Sequence, residues 1–409
     1  MVRCLIRIPM TRLAQCNRNL GARAALVSFF VTGAVLGLAA EPRVAERPLA
    51  SSENLSLRNE VERAVAKGLA WLEKNQDPKG FWTTGDNPAV TALALVAFQG
   101  RPGRDITVQR AEVMRKGYAH LLDCMQPDGG IYRKDMPNYN TAVSMLALLA
   151  ANREEYKAIL LKARQFIIGL QSDFGEPGKT DDLFDGGIGY GNRYKHSDMS
   201  NTLLALEALY YSKQLAEDEK VAAPRDLNWA AAIRFIQNCQ NLSEYNKQNW
   251  VADDPQNKGG FVYYPGNSMA GETNLPSGRV ALRSYGSISY AGMLSYIYAG
   301  LKPDDPRVKA VFNWLRGNYT LDENPGMGPQ GLFFYFHTMT KALTLAEVDR
   351  LDTTDGQKIH WRKDLALRLI NLQKSDGSWS NDNGRWWEKE PSLVTAYAII
   401  SLEMIQRGL

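Results

Sequence analysis

Cysteine is scarce in this sequence of 409 residues, which contains 4 cysteines and 4 histidines. Cys4 and Cys16 fall in a basic leader, which leaves Cys124 and Cys239 for the rest of the chain. Two cysteines cannot build a disulfide scaffold, and they do not form a CxxC zinc module. The sequence therefore excludes both kinds of small cross-linked domain.

An excess of positive charge is also missing from most of the chain. The formal net charge is +4, but residues 1–40 contain five arginines and no acidic residue, so residues 41–409 carry −1. Proteins that bind nucleic acid need lysines and arginines to neutralise phosphates. The charge balance therefore argues against a nucleic-acid partner.

A long apolar run occurs once, from residue 24 to residue 40, directly after the arginines. A basic segment, an apolar segment and small residues in this order are typical of a secretory signal peptide. We expect residues 1–40 to be a signal peptide or, alternatively, an uncleaved N-terminal anchor, and residues 41–56 to be a linker. Either alternative predicts an exported protein, periplasmic or extracellular, that reaches a membrane only through its N-terminal segment.

One short phrase recurs along the remaining chain. The complete form is Q-x-x-x-G-x-aromatic, and looser forms keep the glycine and the aromatic residues. Each copy lies between an amphipathic run and a run that is apolar on nearly every side, which predicts a helix, a turn and a second helix. The complete copies begin at Gln76, Gln126 and Gln373, and the looser copies follow Gln171, Gln240 and Asn318.

The two helices of each unit differ in a way that predicts the architecture. An amphipathic helix suits an outer layer, and a helix apolar all round must be surrounded by other helices. An open stack would need polar terminal units, and neither the first nor the last unit is polar in this way. We therefore predict an all-α fold, an α/α toroid of six hairpins in two concentric rings of about twelve helices, over residues 57–409.

The Q-x-x-x-G-x-W phrase resembles the QW motif of squalene–hopene cyclases and their relatives in the terpenoid cyclase/protein prenyltransferase superfamily. The resemblance extends from Val61 to Leu409 and implies the same toroid of prenyltransferase/squalene oxidase repeats. In that motif the glutamine bonds a neighbouring helix, the glycine permits a tight turn and the aromatic ring packs into the outer ring. These roles are structural and do not define a reaction.

The catalytic signatures of that superfamily are missing. No Asp-x-Asp-Asp acid of class II cyclases occurs, and no Gly-Cys-Gly-Glu-Gln thioester occurs. The segment around His337 resembles the histidine-bearing segment of protein prenyltransferases. The segment that would supply their other zinc ligands, Ser284–Tyr290, has neither an acid nor a thiol. One histidine does not hold a catalytic zinc ion, so no cofactor is implied.

Asp181, Asp182 and Asp185 spell DDxxD, the diphosphate–magnesium motif of class I terpene synthases. Glycines flank the string, whereas that motif needs a helix. A solvated acidic loop is the favoured interpretation, and a diphosphate site or a loop calcium site are the alternatives.

Polar residues at the starts of the second helices are the candidate catalytic residues, because these starts surround the mouth of the predicted cavity. His337 and Lys341 are four residues apart and share a helix face. Asp198 is either an acid or a helix N-cap. With Tyr285, these residues supply acid–base chemistry if the protein is an enzyme. The candidate ligand-binding residues near the mouth are Asn140, Asn201, Tyr290, Tyr335, Tyr397 and Trp386.

Three functions remain open from the sequence. The favoured one is an exported toroid that binds an apolar isoprenoid or lipid ligand, or a cell-envelope partner, without known cyclase or prenyltransferase chemistry. The second is a divergent enzyme that acts on a polyprenyl lipid. The third is a polysaccharide-active enzyme with carboxylates at the rim. Its candidate carboxylates are Asp135, Asp185, Asp198 and Asp382.

Overall fold

The computed structural model describes residues 52–100, 107–192, 196–218 and 226–409. The predicted leader lies outside these ranges, and the first helix begins at Ser52, inside the segment predicted as a linker. Within these ranges the chain forms twelve α-helices and two short hairpins, β1–β2 and β3–β4. The helices are α1 (Ser52–Lys74), α2 (Pro88–Gln99), α3 (Val108–Asp123), α4 (Pro137–Ala151), α5 (Lys157–Gly169), α6 (Met199–Asp218), α7 (Trp229–Asn238), α8 (Gly286–Tyr298), α9 (Pro306–Gly317), α10 (Leu332–Leu345), α11 (Trp361–Leu372) and α12 (Pro391–Gly408). The strands are β1 (Glu272–Asn274), β2 (Val280–Leu282), β3 (Leu351–Asp352) and β4 (Lys358–Ile359).

The even-numbered helices form a closed inner ring. Each packs on the next even-numbered helix, and α12 packs back on α2. The odd-numbered helices pack outside this ring, for example α3 on α2, α9 on α8 and α11 on α12. The prediction of an α/α toroid with two rings is confirmed, because the apolar helices are indeed enclosed by the amphipathic ones.

The repeat glycines explain why the outer helices sit so close to the turns. In five of the six units the glycine has a left-handed backbone, which is unfavourable for residues that carry a Cβ. A Cβ at each position would lie within 3 Å of a backbone atom of the next outer helix. The five glycines, with φ between 83° and 96°, are Gly80, Gly129, Gly186, Gly259 and Gly377.

The repeat glutamines join neighbouring units of the outer ring. Gln76 Nε2 donates to the carbonyl of Val113 in α3 at 2.8 Å, and Gln240 Nε2 donates to the carbonyl of Arg307 in α9 at 3.0 Å. Gln373 Nε2 donates to the carbonyl of Ala64 in α1 at 2.8 Å, which joins the last unit to the first. Gln126 differs, since its amide bonds the carbonyls of Cys124 and Tyr132 in its own turn.

In five of the six units a hydroxyl near the start of the inner helix accepts a hydrogen bond from the backbone of the preceding turn. Thr91 Oγ1 accepts a hydrogen bond from the backbone N–H of Trp82 at 3.2 Å, and Thr395 Oγ1 accepts one from Trp379 at 3.0 Å. Thr338 would be the equivalent residue of the fifth unit in the sequence, but its hydroxyl donates to the carbonyls of Phe334 and Tyr335 within α10. The fifth unit differs because α10 already begins at Leu332, so the segment aligned with the glycine–aromatic turns is helical there.

Candidate functional site

An ion pair crosses the inner side of the ring. Lys341 Nζ in α10 lies 2.8 Å from Glu207 Oε1 in α6 and 3.0 Å from Oε2. These helices are not neighbours, since α8 lies between them, and the outer face of α8 is covered by α7 and α9. The pair therefore spans the lumen of the toroid. The side chains of Lys341 and Glu207 are only 14% and 5% exposed.

The positions equivalent to Glu207 in three other inner helices are apolar. Glu207 is the fifth residue after the repeat hydroxyl of its helix, and the equivalent residues of α2, α4 and α12 are Val96, Leu146 and Ile400. The layer nearer the mouth, two residues after the hydroxyl, includes Leu93 and Leu204. Val96 and Leu204 retain exposed surface although other helices surround them, so they border an internal space.

Aromatic residues close the lumen toward the helix starts. The hydroxyls of Tyr397 in α12 and Tyr139 in α4 lie close together, although α2 lies between these two helices in the ring. The His337 ring packs against Tyr397 with centroids 4.8 Å apart, and the Phe334 ring lies 6.2 Å from Tyr397. Tyr397 therefore connects three inner helices at this level of the ring.

His337 is a neutral imidazole within this aromatic layer. It is buried, and Nδ1 has no hydrogen-bond partner among the described residues. Burial, and secondly the charge of Lys341, hold the pKa of His337 well below its ordinary value. The expectation that it opens its helix is wrong, because α10 begins five residues earlier, at Leu332. His337 and Lys341 do share the lumen face of α10.

Asp198 lies fully buried at the start of α6. Its carboxylate accepts hydrogen bonds from Asn201 N at 2.9 Å and Asn201 Nδ2 at 2.8 Å, so it is the N-cap of the helix. The Tyr263 hydroxyl lies close to this carboxylate, and Tyr285 and Cys239 lie close enough for its charge to raise their pKa values. The sequence left two roles open for Asp198, a helix cap and an acid. In the structure this residue is both the helix cap and a buried acid.

Burial raises the pKa of Asp198 from 3.8 to about 6, against the opposing hydrogen bonds from Asn201. A carboxyl with a raised folded-state pKa stabilises the fold at low pH, and this contribution is lost as pH rises from 3.8 to about 6. We expect the stability of the wild type relative to Asp198→Asn to fall by roughly 3 kcal/mol across that window. Urea unfolding of both proteins between pH 4 and pH 7 measures this difference, and a constant difference would contradict it.

Tyrosine hydroxyls extend from Asp198 toward the aromatic layer. The hydroxyls of Tyr263 and Tyr190 lie close together, and Tyr190 lies close enough to Tyr139 to raise the pKa of Tyr139. Burial is the larger cause and, with Tyr190, raises the pKa of Tyr139 to about 12. Asp198 and His337, which are far apart in the sequence, therefore lie at the two ends of one series of tyrosines along the mouth.

Several predicted ligand-binding residues have structural partners instead. Asn140 accepts a hydrogen bond from Ala89 N at 3.1 Å and donates one to the carbonyl of Asp135 at 2.9 Å. Tyr290 and Tyr335 pack on each other, and the Tyr335 hydroxyl donates to the carbonyl of Thr320, beside the outer ring. These side chains lie in the wall of the toroid. The side-chain amide of Asn201 donates a hydrogen bond to the Asp198 carboxylate.

The long segment before α8 reaches across the mouth. It contains Tyr263 and the β1–β2 hairpin, and Met269 Sδ lies 3.4 Å from Nη2 of Arg385, which precedes α12. Arg385 also stacks on the predicted ligand-binding residue Trp386, which is 41% exposed at the rim.

The DDxxD aspartates fold into a loop and cap its backbone. Asp185 Oδ1 accepts from Phe174 N at 2.6 Å and Oδ2 accepts from Asp182 N at 2.8 Å, and Asp181 Oδ2 accepts from Glu176 N at 3.1 Å. In the part of the chain that the structure describes, no three histidine, cysteine or acidic side chains are grouped as a metal ion would require.

Glu207 is the important residue without a role in the sequence analysis. Glu207 had a detectable signal, because it is the one acid in the apolar run TLLALEAL and Lys341 needed a partner. Tyr263 is one of the aromatic residues that the sequence places near the mouth, but it belongs to the repeat turn GGFVYY, whose aromatic residues are expected to pack, so the sequence does not predict its place beside Asp198.

Solved structures of the type II terpene cyclase MstE from Scytonema share this architecture. An apo variant matches with a TM-score of 0.51 and 12% identity, over 87% of this chain and 99% of that chain. A variant bound to its substrate, geranylgeranyl dihydroxybenzoate, matches with a TM-score of 0.51 and 13% identity over the same shares. The chain has a terpene cyclase-like fold. At this identity the likeness shows the fold of the toroid and not its chemistry.

The terpene cyclase-like toroid matches no family model and no curated protein. None of the helices in the described ranges has the length and apolar character needed to cross a membrane.

Proposed function

We propose that the protein binds an apolar isoprenoid-type ligand in its lumen, between the aromatic mouth and the Lys341–Glu207 ion pair. The observation that carries this proposal is the apolar lining of the lumen, which retains exposed surface at Leu204 and Val96 inside a closed ring of helices. Exposed apolar surface in an enclosed site favours ligands that remove it from water.

The comparison proteins support this ligand class. One MstE variant is bound to geranylgeranyl dihydroxybenzoate, and another with a TM-score of 0.50 and 12% identity is bound to its product, merosterolic acid A. Export through residues 1–40 is part of the proposal and would bring the toroid to the cell envelope, where lipids are available.

The test is native mass spectrometry of the purified protein with geranylgeraniol as the probe. We expect a one-to-one complex that weakens at least tenfold in Val96→Trp, because the indole fills the lumen. Val108→Trp is the matched control, since Val108 is 89% exposed at the start of outer helix α3. The absence of a complex with the wild type, or equal binding by both variants, would show that the lumen is not the site.

A second candidate function is an acid-catalysed reaction of the same ligand class. The observation that favours it is the fully buried Asp198 carboxyl, whose pKa of about 6 lets it keep a proton at mildly acidic pH, where an ordinary aspartate has lost it. Extracted geranylgeraniol would then contain a rearranged isomer, resolved by gas chromatography. Asp198→Asn should bind the alcohol without producing the isomer, whereas an unchanged alcohol from the wild type would leave binding as the function.

A further inference from the structure

The rim of the mouth carries a depression that is separate from the lumen. Its volume is about 420 Å³, and its lining residues are Thr83, Thr84, Trp387, Lys389 and Glu390. The threonines precede α2 and the other residues precede α12, and these two inner helices are neighbours in the ring. Pockets for small ligands have volumes of about 300–1,000 Å³. The depression is therefore large enough for one small ligand.

Backbone strain is concentrated around this depression. Thr83, Trp386 and Trp387 have φ values of 67°, 54° and 67°, and only three other non-glycine residues in the described ranges have a positive φ. Left-handed backbone is unfavourable for bulky side chains and persists only where the surrounding structure imposes it. Such strain occurs preferentially at functional sites.

The residue after Trp387 holds this conformation. Glu388 is buried, and its carboxylate accepts from Phe334 N at 2.8 Å and from Asn381 Nδ2 at 2.7 Å. Its backbone carbonyl accepts from Asn381 N at 2.7 Å. With Glu388 fixed inside the protein, the preceding Trp387 is turned outward and its side chain is 49% exposed. Trp387 thus has both a strained backbone and an exposed apolar ring.

The polar groups around the indole have complementary hydrogen-bonding roles. Thr83 Oγ1 is buried and has no hydrogen-bond partner among the described residues. Lys389 is exposed and offers N–H donors, and partly exposed Glu390 offers acceptor oxygens. The one bond that Glu390 receives in capping α12 is long, 3.3 Å from Ser392 N. The ring therefore has a hydroxyl, a donor and an acceptor around it.

We propose that this depression binds a pyranose ring of a neutral carbohydrate, stacked on Trp387. The C–H face of a pyranose is apolar and packs on an indole, and its hydroxyls both donate and accept hydrogen bonds. An isoprenoid would leave the polar groups unpaired, and a charged ligand would meet a side chain of its own sign. The proposal concerns binding alone, includes no bond cleavage and is independent of the lumen.

The test uses isothermal titration calorimetry of the whole protein with cellobiose, maltose and N-acetylglucosamine as probes. We expect at least one probe to bind, Trp387→Phe to retain binding within about threefold, and Trp387→Gly to lose at least tenfold. Glycine accepts a left-handed backbone, so Trp387→Gly should melt no lower than the wild type. Loss of binding in that variant then reports on the site and not on folding.

Phe174→Ala is the control for a general effect of removing an exposed ring, because Phe174 is 39% exposed on a different loop. It should bind the probe as the wild type does. The proposal is overturned if none of the probes binds the wild type, or if Trp387→Gly binds as tightly. Attachment to phosphatidylcholine vesicles that depends on Trp387, without sugar binding, would also overturn it and identify the rim as a lipid contact.

Discussion

Replacement of Lys341 by methionine should destabilise the protein by about 3–5 kcal/mol, because it leaves the Glu207 carboxylate buried in the lumen without its partner. Methionine keeps much of the volume of the lysine side chain, so the loss reports the charge. The 2.8 Å contact and the low exposure of both side chains place the pair away from solvent screening. Chemical denaturation at pH 7 measures the change in the free energy of unfolding.

The double variant Glu207→Leu/Lys341→Met is the decisive control. Removing both charges removes the unpaired ion, and apolar pairs in place of buried ion pairs are often neutral or stabilising. We expect its stability to return to within about 1 kcal/mol of the wild type or to exceed it. A single variant that costs less than about 1 kcal/mol would mean that the pair is hydrated like a surface salt bridge.

The second large effect is expected for Gly186→Ala. A Cβ at Gly186 would lie 2.1 Å from the carbonyl carbon and oxygen of Ala231, and these backbone atoms belong to α7. The unfavourable left-handed backbone and the steric collision both destabilise the variant, so we expect its free energy of unfolding to fall by about 2–5 kcal/mol. Thermal and denaturant unfolding measure it.

Gly300→Ala separates the two contributions. Gly300 has φ 84°, nearly the same as the 83° of Gly186, but an added Cβ meets no atom within 4 Å. Gly300→Ala should therefore lower the free energy of unfolding by about 1–2 kcal/mol, because only the left-handed backbone is unfavourable for alanine there. Equal losses for the two variants would contradict the role of the repeat glycine in seating the next outer helix.

The toroid could be predicted from the sequence because its cause is local and repeated. One turn contains Gln76, Gly80 and Trp82, and its contacts recur in the turn of Gln373, Gly377 and Trp379. A single sequence pattern therefore predicts the same local structure in several units. The fifth unit was misplaced for the same reason. Its helix starts at Leu332, and Glu388 from a distant loop accepts a hydrogen bond from Phe334 N in the first turn. A local sequence pattern cannot predict a contact with a distant loop.

The candidate site could be predicted only in part. Asp198 and Lys341 were found because a charge in or beside an apolar helix needs an explanation. Their partners could not be predicted. The position of Glu207 depends on how helices that are not neighbours are rotated toward the lumen, and that of Tyr263 depends on where the long segment before α8 lies. The packing of Tyr290 and Tyr335 in the wall could not be predicted either, since the sequence does not fix which side of α8 and α10 faces the wall.

The bond from Gln373 to Ala64 joins residues 309 positions apart and constrains how the chain folds during synthesis. Helix α12 packs on α1 and α2, so the surfaces of the first unit are covered only when the last unit has left the ribosome. Contacts of such sequence separation slow folding, and the incomplete ring exposes apolar helices meanwhile. A nascent chain truncated before residue 391 should therefore be a strong client for chaperones, although most of its units are complete.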